Sequence, residues 1–103
     1  MSAPEKPEEP RLGVRLRVRG RVQGVGFRWF TREAGRDLGI VGRVRNLPDG
    51  SVEIEAAVPP GGAAALDAFK EKIRQGPRGA HVDTLEEESL APVPAWDRFE
   101  IDR

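Results

Sequence analysis

Gly20-Arg21-Val22-Gln23-Gly24-Val25-Gly26-Phe27-Arg28 stands between an apolar alternation and a helical spacing of apolar residues. Two glycines two residues apart let the backbone turn tightly, with no Cβ to block a close approach. The amides of such a turn can point into one concavity beside the start of a helix. Free N–H groups and the positive end of the helix dipole together attract an oxyanion. Arg28 adds a permanent charge and a planar fork of donors suited to phosphate. A strand, a glycine loop and a helix opened by Arg28 thus imply a site for a phosphate-sized anion.

Upstream, Leu12 to Arg19 alternates, with Val14, Leu16 and Val18 on one side and Arg15, Arg17 and Arg19 on the other. That pattern predicts a half-buried strand. Downstream, Phe27, Phe30, Ala34 and Leu38 recur at helical spacing, and Gly39 is a natural stop. Gly35 weakens that helix by about 1 kcal/mol relative to Ala, and allows a close helix–sheet contact in return. Val41–Asn46 and Ser51–Ala57 flank Leu47-Pro48-Asp49-Gly50, whose Pro and Asp-Gly predict a β-hairpin. Val52, Ile54 and Ala56 face inward there, and Glu53 and Glu55 outward. A second helix is expected over Ala63–Gln75, with Leu66, Phe69 and Ile73 as its buried stripe. Ala80–Leu85 reads as a fourth strand running into Glu86-Glu87-Glu88, and Asp97–Asp102 as a short last strand. The resulting βαββαβ order is the α+β, ferredoxin-like pattern. It implies one antiparallel sheet with core order 4-1-3-2 and both helices on one face. The extra C-terminal strand has no assigned place.

The chain of 103 residues is the size of one domain. Residues 1–10 hold three prolines and no apolar periodicity, and read as a disordered tail before a domain over 11–103. There is no cysteine, so a disulfide framework, a thiolate nucleophile and a cysteine-ligated metal are excluded. No run approaches a transmembrane helix in length and no signal-peptide core is visible, so a cytoplasmic location is expected. The formal net charge of zero hides an asymmetry. Residues 11–46 hold ten arginines against two acids, a net +8, and residues 47–103 carry a net −6. Either a basic region draws in anions, or charged faces mix once the chain folds.

The expected topology brings the loop and Asn46 together. Strands 1 and 2 run in the same direction, so their C-terminal ends share one sheet edge. One strand lies between them, a gap of roughly 10 Å that fits a phosphate and a water. With these residues in view, the chain resembles the acylphosphatases. The similarity runs through Gly20–Arg28 and through Gly42-Arg43-Val44-Arg45-Asn46-Leu47-Pro48-Asp49-Gly50-Ser51-Val52-Glu53, and in pattern over about residues 12–103. It implies an acylphosphatase-like domain that hydrolyses acyl phosphates to a carboxylate and inorganic phosphate, without metal or cofactor. It implies that Arg28 binds the phosphate, that Asn46 orients the attacking water, and that the amides of Gln23, Gly24, Val25, Gly26 and Phe27 form the cradle. Partners are then a small acyl phosphate and its phosphate product, with no membrane and no nucleic acid, and a monomer is expected. Arg43 departs from the family's usual aromatic in Gly-x-Val-x-Asn. It bears on packing beside the hairpin, or adds charge near the mouth.

The chemistry suits these residues. A carboxylate is a good leaving group, so no strong general acid is required, and phosphoryl transfer needs mostly positioning and charge stabilisation. The alternative is a non-catalytic phosphate-binding or regulatory module of the same fold. RNA binding wants aromatics on the open sheet face, and Arg15, Arg17, Arg19, Glu53 and Glu55 argue against it. His81 reads as structural or solvated, Trp29 and Phe30 as core and rim rather than a stacking platform, and Glu86–Glu88 as a solvated edge. Thr31 and Ser51 lack a neighbouring base, so neither suits a nucleophile.

Overall fold

A computed structural model describes residues 11–102. The tail expected over 1–10 lies outside the described residues. The elements follow the expected order: β1 (Leu12–Arg21), α1 (Phe27–Asp37), β2 (Val41–Asn46), β3 (Val52–Val58), α2 (Ala63–Gln75), β4 (His81–Ser89) and β5 (Phe99–Ile101). They form one five-stranded sheet in the order β4-β1-β3-β2-β5. β1 and β2 both pair antiparallel with β3, so they run in the same direction and end on the same edge. This is the ferredoxin-like α+β arrangement.

Apolar alternation drives the core. Val14, Leu16 and Val18 of β1 and Val52, Ile54 and Ala56 of β3 meet Phe27 and Ala34 of α1 and Leu66, Phe69 and Ile73 of α2 in one buried cluster. Both helices therefore cover the same face of the sheet.

β5 takes the outer edge. It lies parallel to β2, with Gly42 opposite Phe99 and Val44 opposite Ile101. Its anchor is Phe99, fully buried against Phe69 at 5.7 Å between ring centroids. Gly35 of α1 makes room for that ring. A Cβ at Gly35 would come within 2.4 Å of Phe99 Cδ2, so the missing side chain is what lets helix and strand touch.

Parallel β5 makes the sheet mixed, where one antiparallel sheet is expected, and three further expectations change. β1 runs on to Arg21, because a register shift after Arg19 lets Gly20 and Arg21 pair with Val82 and His81. β4 runs on to Ser89, because Glu86, Glu87 and Glu88 pair along Arg17, Leu16 and Arg15. Glu53 and Glu55 do face away from the helices, yet they are buried, 8% and 4% exposed. Arginines from the two flanking strands cover them. Arg15 Nε donates to Glu55 at 3.0 Å and Arg43 Nε at 2.7 Å, while Arg45 Nε donates to Glu53 at 2.9 Å. The basic first part and acidic second part of the chain thus mix in space. β1 and β2 are basic stripes, and β4, β3 and β5 are acidic ones beside them.

Candidate active site

β1 delivers the chain to the glycine loop at the sheet's upper edge. Gly24 and Gly26 adopt left-handed backbone, with φ of +76° and +77°. That region is strained for any residue with a Cβ, and a Cβ at either position would meet open space. Glycine is there for its backbone angles, and the ground beside it is free for a ligand. α1 follows at once, and the N–H of Phe30 closes its first turn onto Gly26 O at 3.0 Å. No side chain caps α1 and no acid sits in its first turn. Among the described residues, no carbonyl accepts from the backbone N–H groups of residues 23–27. The donors at this helix start are therefore unspent, and its positive end is not neutralised.

Arg28 is the second residue of α1 and half-buried. Among the described residues it has no acid within ion-pair distance, in contrast to Arg32 one turn on, which pairs with Glu33 at 3.1 Å. Asn46 closes β2 opposite Val52, and Val52 lies opposite Val18. One strand thus separates Asn46 from the end of β1. Alternation places Asn46 with Val44 on the helix side of the sheet, away from Arg43 and Arg45. Its Oδ1 is buried with no hydrogen-bond partner among the described residues. An unpaired buried acceptor costs about 1–3 kcal/mol, so packing alone does not explain it.

These pieces line one open pocket of about 380 Å³, formed by Gly24, Gly26, Phe27, Arg28 and Asn46 with Val22, Trp29, Arg32 and Ile101. The pocket joins the backbone donors of the loop, an arginine with no acid beside it and a buried amide oxygen with no partner among the described residues.

Gln23 ties the two halves together. Its side-chain Nε2 donates to Leu47 O at 2.9 Å and to Ser51 O at 2.8 Å. The glycine loop is thus pinned to the turn that follows Asn46. The turn itself is held by Asp49, whose Oδ1 accepts from Ser51 N at 2.9 Å and Ser51 Oγ at 2.6 Å. Those bonds, with help from Arg19, lower the Asp49 carboxyl to about 2.

A family model described as Acylphosphatase matches residues 14–101. The chain belongs to the acylphosphatase family. It is 43% identical over 90 residues to an acylphosphatase of Salinibacter ruber, covering 87% of this chain and 92% of that one. It is 48% identical over 88 residues to an acylphosphatase of Mesorhizobium japonicum, covering 85% and 90%. The crystal structure of the Bacillus subtilis acylphosphatase superposes with a TM-score of 0.82 at 35% identity, covering 89% of this chain and 99% of that one. The family assigns the chain to the enzymes that hydrolyse acyl phosphates.

Trp29, Arg32 and Ile101 also line the pocket of this acylphosphatase fold, beyond the site residues expected from the sequence. Arg32 had a signal, since it lies four residues after Arg28 on the same helix face. Ile101 had none, because only the pairing of β5 with β2 brings it to the pocket. Trp29 is not core. It is 58% exposed and stands at the rim, while Phe30 packs onto the core beside Phe27. Arg43 adds no charge to the mouth. It lies on the helix-free face, bonded to Glu55 and, through Nη1, to Asp102 at 3.2 Å.

Proposed function

We propose that this chain hydrolyses acyl phosphates in the pocket between the 23–27 loop and Asn46, using its own charges and no metal. The observation that carries this is the unspent row of backbone donors at 23–27 beside the unpaired Arg28. Phosphate oxygens suit these donors, and a dianion there compensates both the helix start and the guanidinium. Asn46 presents an amide that accepts from and donates to a water. A carboxylate at that position would repel the phosphate.

The reaction is one in-line displacement. The water oxygen bonds to phosphorus, and the bond from phosphorus to the acyl oxygen breaks. Its electron pair leaves with the carboxylate. One proton of the water passes to a phosphate oxygen, so the products are a carboxylate and dihydrogen phosphate. Arg28 and the amides 23–27 match the charge on the equatorial oxygens. The proposal extends to a cytoplasmic monomer whose domain spans 11–103. It excludes nucleic acid as a partner, because the arginines of the open sheet face are engaged by Glu53, Glu55 and Glu88.

The test is benzoyl phosphate hydrolysis with EDTA present, for the parent and Arg28→Lys. Lysine keeps the charge and loses the bidentate fork. The parent is expected to turn over the acyl phosphate and ignore an alkyl phosphate, and Arg28→Lys to lose about 10²-fold or more in kcat. Activity abolished by EDTA overturns the metal-free reading. Phosphate that raises the melting temperature without any turnover would leave a binding module instead.

A further inference from the structure

Resting on the acyl-phosphate reading, we propose that Trp29 forms the acyl-group subsite, and that it makes the enzyme selective for acyl phosphates with a flat, aromatic acyl group. Among the described residues two large apolar side chains are left exposed, Leu12 at 48% and Trp29 at 58%. Leu12 opens β1, at the far end of that strand from the loop. Trp29 lines the phosphate pocket.

The fold makes little use of this indole. α1 buries Phe27, Thr31, Ala34 and Gly35, and Phe30 is packed against the core while Trp29 is not. A large aromatic at the mouth of a polar pocket offers an apolar surface to whatever the pocket binds. Its place in the chain fits the acyl portion of the substrate. Trp29 directly follows Arg28, so the group that holds the phosphoryl end and the indole share one helical turn. In-line displacement puts the leaving group across phosphorus from the water. Asn46 on β2 serves the water, and α1 supplies a different wall of the same pocket.

There is room as well. A water occupies ~30 Å³ of liquid, so a pocket of about 380 Å³ holds an organic group beside a phosphate and one water. The indole face offers stacking to a flat ring and little to a methyl group.

The test compares benzoyl phosphate with acetyl phosphate in the parent, Trp29→Ala and Trp29→Phe. The ratio of kcat/KM for benzoyl over acetyl phosphate is expected to fall about tenfold in Trp29→Ala. The loss should lie in KM for benzoyl phosphate, with kcat held, as for a ground-state contact. Trp29→Phe should restore most of the ratio. An unchanged ratio, or equal losses for both substrates, overturns the subsite. Calorimetry with benzoylphosphonate and acetylphosphonate separates this from the chemistry. If the parent hydrolyses neither acyl phosphate, the hydrolase reading fails. The subsite still stands if benzoylphosphonate binds about tenfold tighter and Trp29→Ala removes that difference, and falls if it does not.

Discussion

Asn46 is the residue whose proposed role can be isolated most cleanly, because Arg28 and the 23–27 amides are the donors proposed for the anion. Asn46→Ala removes an amide whose Oδ1 is unpaired, so no internal hydrogen bond of that oxygen is lost. The fold should hold, and the inhibition constant of inorganic phosphate should stay within about threefold. Loss of a positioning group for the nucleophile should lower kcat on the order of 10²-fold. Asn46→Asp should not rescue, since its charge faces the bound phosphate. Steady-state kinetics with phosphate as inhibitor checks both variants. A parallel loss of phosphate binding and activity would instead make Asn46 part of the cradle. That Arg28 and Asn46 meet at one pocket was legible from the topology, because β1 and β2 end on the same sheet edge. Trp29 was harder, because an aromatic two residues from a buried phenylalanine looks like core until the helix is rotated into place.

At the scale of elements, the loop and the β2–β3 turn behave as one unit through Gln23. Its side chain donates to two carbonyls at once, Leu47 O and Ser51 O. Gln23→Ala leaves both without that donor and frees the loop from the turn. We expect a stability loss of about 1–3 kcal/mol and a fall in kcat that exceeds the rise in the phosphate inhibition constant. Gln23→Glu should be worse than Ala, because a carboxylate faces two carbonyl oxygens and donates to neither. Urea midpoints beside kinetics for both variants check this. Local pattern carried the elements where local forces dominate: α2 was expected over Ala63–Gln75 and spans those residues, with Leu66, Phe69 and Ile73 buried as spaced. It fell short where pairing decides. Glu86-Glu87-Glu88 is the exposed edge expected of it, but only its pairing with basic β1 shows that the strand runs on through it. Phe99-Glu100-Ile101 has too few residues to state a partner, and pairing with β2, with Phe99 buried against Phe69 and over Gly35, fixes its place.

For the whole molecule, the order β4-β1-β3-β2-β5 turns a charge imbalance along the chain into alternating stripes. Glu55 sits at their centre. Burial raises its carboxyl, but hydrogen bonds from Arg43 and Arg15 outweigh that and hold it below its ordinary 4.5. Asp49 is lowered from 3.8 to about 2. A carboxyl lowered on folding stabilises fully above its unfolded value, and the contribution disappears as pH falls through the folded value. Stability should therefore be level in these terms above about pH 5 and decline between the ordinary carboxyl values and pH 2. Glu55→Gln should cost about 1–3 kcal/mol at neutral pH, and the gap to the parent should narrow as pH falls below 4.5. Urea unfolding at neutral and acid pH measures it. The same stripes govern how a substrate arrives. Strands ~4.8 Å apart with opposite signs cancel one another within about one screening length, ~8 Å at physiological salt. A diffusing dianion meets no long-range basic pole, despite the ten arginines of residues 11–46. Its encounter is governed by random motion until the mouth, where Arg28 stands without an acid among the described residues and the first attraction begins.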